Sequence, residues 1–131
     1  MVQPYLDKVE TQGEVSALFI DGELSHMVQK IPVPGDYRVQ DDFGASDGPV
    51  VLSEEEQGLA RRVMDALGAI MSGWPIPVSQ PLLYARVDFL RNHEGSLCMN
   101  ELELVEPSLF FRHSPGAAEA LADALCRRAR A

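Results

Sequence analysis

The sequence predicts an α+β domain, an antiparallel sheet with helices packed on one face. Two strand–turn–strand patterns carry most of this expectation: Glu14 to Lys30 around Asp21-Gly22, and Tyr84 to Val105 around the polar turn Arg91 to Ser96. Between them, Ser53 opens a segment with apolar residues at helical spacing, and Ser114-Pro115 opens another near the end. Short connections of this kind favour antiparallel pairing over parallel crossovers.

Taken in order, Tyr5 and Leu6 are the first residues expected to pack, and Val9 to Gly13 reads as a polar loop. Glu14 to Ile20 is a strand, Asp21-Gly22 supplies a two-residue turn, and Glu23 to Lys30 returns with Leu24, His26, Val28 and Lys30 on one face. Ile31 to Gly35 holds two prolines, which remove backbone donors and exclude helix or central strand. Tyr37 to Gln40 is a candidate short strand, and Asp41 to Pro49 reads as loop. Ser53 with Glu56 three residues on forms a capping box, and Glu54 and Glu55 suit the positive end of the helix dipole. Leu59, Val63, Leu67 and Ile70, with Met64 and Met71, make the apolar stripe, and Gly73 ends the helix. Trp74 to Pro81, with three prolines, is a connector. In the last helix Ala118, Leu121, Ala122 and Leu125 are expected to pack, while Arg127, Arg128 and Arg130 complement its negative end.

A chain of 131 residues is the size of one domain, and no internal repeat or boundary divides it. The formal net charge of -9, with no basic tract longer than the terminal arginines, argues against a nucleic-acid binder and against a polybasic membrane anchor. No run of about twenty apolar residues offers a membrane span, and no signal segment opens the chain, so a cytoplasmic protein is the default expectation. Cys98 and Cys126 stand in apolar patterns outside any CxxC pair and are expected to be buried free thiols. Neither GxGxxG nor GxxxxGK[ST] is present, and no Cys/His spacing suggests zinc.

The Tyr84 hairpin carries the chemistry. Period-two alternation puts Ala85, Val87 and Phe89 on one face, with Tyr84, Arg86 and Asp88 on the other. In the second strand Cys98, Asn100, Leu102 and Leu104 alternate with Met99, Glu101, Glu103 and Val105. A turn closing near Leu90 and Leu97 sets Asp88 opposite Met99 and diagonal to Glu101, leaving three carboxylates within roughly 5–8 Å of one another. Like charges so placed destabilise a hairpin unless a cation joins them, and hard divalent ions take carboxylate oxygens together with those of a bound phosphate. The same pattern also describes the solvated polar face of an ordinary hairpin.

Read together, several segments resemble, in order, the C-terminal part of the ATP-grasp ligases, and among them the prokaryotic glutathione synthetases and related carboxylate–amine ligases. QPYLDKVETQGE (Gln3 to Glu14) is similar to the hinge beside adenine, ALFIDGELSHMVQKIP (Ala17 to Pro32) to the hairpin that follows, and GDYRVQDDFGA (Gly35 to Ala45) to the segment bearing a phosphate-contacting arginine. YARVDFLR and NELELVEPSLFF are similar to the metal-binding pair of strands. The resemblance covers Gln3 to about Phe111.

What the resemblance implies is an ATP- and Mg²⁺-binding lobe of a ligase that joins a small carboxylate to an amine through an acyl phosphate. Asp88 would hold one Mg²⁺ and Glu101 would bridge two, with Glu103 standing where the family usually has Asn; Glu106 is a possible substitute for it on the opposite strand face. Gln3 and Leu6 would frame adenine, Glu10 would meet the ribose, Arg38 the transferring phosphoryl group, and Lys30 would assist. Each has a plainer reading: Arg38 as a surface ion pair beside Asp36, Asp41 and Asp42, Lys30 as a strand end, Glu10 as a loop carboxylate, Arg86 as a counter-charge to Asp88. The family holds ATP between two lobes, so the resemblance implies a lobe that is incomplete alone, either a fragment lacking the preceding lobe or a half that needs a partner. The alternative is a non-catalytic binding module that keeps the fold and self-associates, as a homodimer, through exposed sheet edges.

Overall fold

The computed structural model describes residues 4–73 and 81–130. Its framework is a five-stranded antiparallel sheet in the order β3-β2-β1-β4-β5. The strands are β1 (Glu14–Ile20), β2 (Glu23–Ile31), β3 (Ser46–Pro49), β4 (Tyr84–Arg91) and β5 (Leu97–Glu103), joined by helices α1 (Val9–Gln12), α2 (Glu54–Met71) and α3 (Pro115–Ala129). The α+β architecture expected from the sequence is the one observed.

Every residue of β1 is buried because β1 is central and covered on both faces. One face carries Val15, Ala17 and Phe19 with Ala85, Val87, Phe89 and Leu97. Against it pack Leu52 and Ala60, with Leu59, Val63 and Met64 of α2. The other face carries Leu18 and Val28 under Phe110, and then turns polar with Glu14, Ser16, Lys30, Arg86 and Asp88. This buried charged stretch positions the site.

Local signals hold where they were strongest. The capping box forms, with the Glu56 amide donating to Ser53 Oγ and the Ser53 amide donating to the Glu56 carboxylate. Asp21 and Gly22 turn the first hairpin with positive φ at both positions, the geometry that matches strand twist in a two-residue turn. Gly13, at φ 64, lets the chain pass so near Lys30 that an added Cβ would fall 1.8 Å from the Lys30 carbonyl oxygen.

Several expectations are corrected. Val9–Gln12 is one turn of helix rather than loop. Tyr37 to Gln40 forms no strand, whereas Ser46–Pro49, expected as loop, pairs with β2 as the edge strand. Leu24 does not share a face with Val28 and Lys30. Leu18 pairs with His26 and Phe19 with Leu24, so Ser25 is an extra residue that turns Leu24 toward α2. Ile70 is exposed, and Ala60 takes part in the core instead. In α3 the buried residues are Ala117 and Ala124, while Ala118, Ala122 and Leu125 face outward. Cys98 is half-buried and Cys126 exposed, both as free thiols. The connector residues 74–80 lie outside the described residues. The C-terminal end of α3 is tied to the first hairpin by Arg127 and Arg128, which both donate to Asp21. Among the described residues no helix is long and apolar enough to cross a membrane.

Candidate functional site

Asp88, Glu101 and Glu103 converge on one spot: one carboxylate oxygen from each lies within 4.8 Å of the others. A bulge achieves this. Phe89 pairs with Met99 but Asp88 with Glu101, leaving Asn100 as the extra residue of β5. Asp88 therefore lies directly opposite Glu101, not opposite Met99, and Arg86 lies opposite Glu103. Unbroken alternation would keep Met99 on the face of Glu101; the bulge puts Met99 opposite the core residue Phe89 and frees Asn100 to donate to Glu14 Oε2 at 2.9 Å.

Asp88 is 1% exposed, and both its oxygens are engaged. Oδ1 accepts from Ser16 Oγ at 2.6 Å and Arg86 Nε at 3.0 Å, while Oδ2 accepts from Arg86 Nη2 at 2.9 Å and lies 3.7 Å from Lys30 Nζ. The same Arg86 Nη2 donates to Glu103, so the guanidinium bridges two of the three carboxylates. Burial works against the Arg86 charge. The bonds Arg86 donates to Asp88 and the fields of Asp88, Glu103 and Glu14 outweigh burial and hold the Arg86 pKa above the ordinary guanidinium value. Lys30 is buried too and pairs with Glu14. Burial raises the Glu14 pKa, against the pull of Lys30. Glu101 is exposed and makes no hydrogen bond or ion pair among the described residues.

Beside this cluster lies a cavity of about 450 Å³ lined by Pro4, Tyr5, Leu6, Val9, Glu14, Tyr37, Arg38, Val39, Gln40, Leu90 and Asn100. Leu6 and Arg38 thus face one space with Glu14, whose side chain touches Lys30, which in turn reaches toward Asp88. Arg38 is held in a bidentate pair by Asp36, with Nη2 at 2.6 Å from Oδ2, and its guanidinium stacks 3.9 Å above the Phe43 ring. That pair holds the Asp36 carboxyl well below the usual range, through the Arg38 side-chain bond first. Glu10 is outside the cavity lining. It accepts from the Tyr5 hydroxyl at 2.6 Å, which pushes the Tyr5 phenol up to about 12. Gln3 lies outside the described residues. Glu106, with φ 58, is exposed beyond the end of β5 and is not in the carboxylate cluster.

Glu14 escaped the sequence reading as a candidate. Its signal was its place directly after Gly13, where the chain must pass the Lys30 carbonyl closely and so delivers the next side chain to Lys30. The donor set fits a hard divalent cation, since three carboxylates converge and no sulfur or imidazole stands among them.

No family model matches the chain. The cycloserine biosynthesis protein DcsG of Streptomyces lavendulae is 31% identical over 138 residues, a match covering 98% of this chain and 42% of that protein. The chain thus spans about two fifths of the curated relative it matches. The crystal structure of D-cycloserine synthetase DcsG superposes with a TM-score of 0.78 at 31% identity, over 96% of this chain and 41% of that one. Two more distant structures share the fold. The ATP-grasp ligase PsnB, complexed with Mg, ADP and a phosphomimetic variant of its minimal precursor, matches with a TM-score of 0.55 at 17% identity, over 85% of this chain and 32% of its own. D-alanine–D-alanine ligase from Bacillus anthracis, complexed with ATP, matches with a TM-score of 0.55 at 16% identity, over 87% of this chain and 36% of its own.

Proposed function

We propose that this chain, which has the fold of the ATP-grasp ligases and resembles their C-terminal part, is the ATP- and Mg²⁺-binding lobe of an ATP-dependent carboxylate–amine ligase. The observation that carries the reading is the convergence of Asp88, Glu101 and Glu103 on the polar face of the sheet, next to a cavity lined by Leu6 and Arg38. Asp88, Glu101 and Glu103 would hold Mg²⁺, which supplies charge stabilisation to phosphate oxygens when bound.

The chain's own residues account for the rest. Leu6, with Val9 and Leu90, offers an apolar floor suited to a base. Glu14, inside the cavity, is the carboxylate best placed for ribose hydroxyls; Glu10 acts at the rim through Tyr5. Arg38 and Lys30 supply positive charge to a phosphoryl group passing to a substrate carboxylate, because the barrier to that transfer is mainly charge to be held in place. The acyl phosphate so formed is then open to attack by an amine, with phosphate leaving. In this reading a second lobe closes over the nucleotide, and Tyr5 and Tyr37, 54% and 60% exposed, line the cavity it would cover.

Replacing Asp88 and Glu101 together with alanine should abolish Mg²⁺ binding by calorimetry while circular dichroism still reports a folded chain. Undiminished Mg²⁺ affinity in that double variant would remove the metal assignment. The exposed apolar side chains Val33, Tyr37 and Phe43 favour a second reading, a non-catalytic module that self-associates. A stable dimer in sedimentation with no affinity for nucleotide selects that reading.

A further inference from the structure

We infer that Arg86 is a resident counterion of the carboxylate cluster, a latch that a divalent cation must displace in order to bind. The inference rests on the metal-binding reading above and concerns how that site is kept before metal arrives. Asp88 has no uncommitted oxygen: Ser16 and Arg86 donate to Oδ1, and Arg86 donates to Oδ2. Glu103 is bonded to the same guanidinium. A cation can therefore take Asp88 only by breaking bonds from Arg86, whereas Glu103, which meets the guanidinium through Oε1, keeps Oε2 for it. Glu101 differs, being exposed and without a partner among the described residues. It is the carboxylate that meets the cation first.

Charge gives the reason for such a latch. Glu14, Asp88, Glu101 and Glu103 are four carboxylates, met among the described residues by only two cations, Lys30 and Arg86. Without Arg86, Asp88 and Glu103 would repel across a single strand pair with little water to screen them. The guanidinium lets the sheet fold without metal, and its fork suits two carboxylates at once. It also has somewhere to go. The Ser108 carbonyl lies 3.5 Å from Arg86 Nη1, and the face of the Phe110 ring lies 5.9 Å from its Cζ. An arginine released from the carboxylates keeps one acceptor and one aromatic face within reach.

Two measurements on the 131-residue chain test this. Mn²⁺ binding is followed by electron paramagnetic resonance for the wild type, Arg86→Gln and Glu101→Gln. The Arg86 Nε–H resonance of the wild type is followed by NMR while Mg²⁺ is added. Arg86→Gln should bind Mn²⁺ about tenfold more tightly or better, since the competing charge-assisted bonds are gone, and Glu101→Gln should bind it more weakly. The Arg86 resonance should move with the same midpoint as Mg²⁺ binding. Wild-type binding with an unmoved Arg86 resonance, or unchanged or weaker Mn²⁺ binding by a folded Arg86→Gln chain, overturns the latch and leaves the metal site standing. Failure of the wild type and of Arg86→Gln to take up Mn²⁺ at millimolar concentration overturns latch and metal site together. Should Arg86→Gln not fold, the wild-type resonance decides alone.

Discussion

Replacing Asp88 with asparagine asks how tightly the buried charges are balanced. The side chain is 1% exposed and carries bonds from Ser16 and Arg86, with Lys30 3.7 Å away. Removing one member of a buried ion pair typically costs about 3–5 kcal/mol, because the surviving charge is left uncompensated. Here neither cation is left alone: Arg86 retains Glu103, and Lys30 retains Glu14. Asparagine also keeps an oxygen for the Ser16 hydroxyl, but it turns its amide hydrogens toward the Arg86 donors. The expected loss is therefore that of the charge-assisted bonds alone, about 2–3 kcal/mol. Urea unfolding followed by circular dichroism should show a lower midpoint with an unchanged denaturant slope. A loss under about 0.5 kcal/mol would mean that Asp88 is not paired as described. One above about 5 kcal/mol would mean that Glu103 and Glu14 do not hold the cations, refuting the shared-partner argument.

Further outcomes follow from other parts of the chain. Ser53→Ala breaks the capping box of α2 and should lower stability by about 1 kcal/mol in the same urea experiment. Glu14, whose pKa burial raises, binds its proton more tightly in the folded chain than in the unfolded one. Its contribution is present in full below the unfolded value of 4.5 and is lost as pH rises through the folded value. Glu14→Gln should therefore flatten the fall in stability above pH 4.5, as read from unfolding midpoints across a pH series. Asp21 shifts the other way, lowered by its bonds from Arg127 and Arg128, so the tie to α3 should weaken as pH falls below 3.8. Asp21→Asn at neutral pH should speed amide exchange in the last turn of α3 and leave β4 unaffected.

What could be read from the residues was local. The capping box, the Asp21-Gly22 turn and the central strand each depend on a few adjacent side chains, so pattern and geometry agree. The two bulges could not be read, because nothing in the alternation of Glu23 to Lys30 or Leu97 to Val105 marks Ser25 or Asn100 as extra; the register is set by the neighbouring strand. That one residue in β5 decided which side chains stand opposite Asp88, and the grouping of Asp88, Glu101 and Glu103 survived because all three lie on one side of the bulge. Ser46–Pro49 was missed because a four-residue edge strand is held by backbone bonds to β2 and needs no apolar alternation. The face of α3 was misplaced because alanines occur all round it, and only packing selects Ala117 and Ala124. The Arg86 bridge, which joins Asp88 two residues on to Glu103 across the strand pair, follows from pairing register that no single strand records.

Paramagnetic NMR on the chain with Mn²⁺ and a non-hydrolysable ATP analogue locates both the cation and the nucleotide. Line broadening should centre on Asp88, Glu101 and Glu103, with nucleotide-dependent shifts at Leu6 and Arg38. Broadening centred instead on the exposed acidic turn at Glu54 and Glu55, or none at millimolar ligand, would contradict the metal assignment.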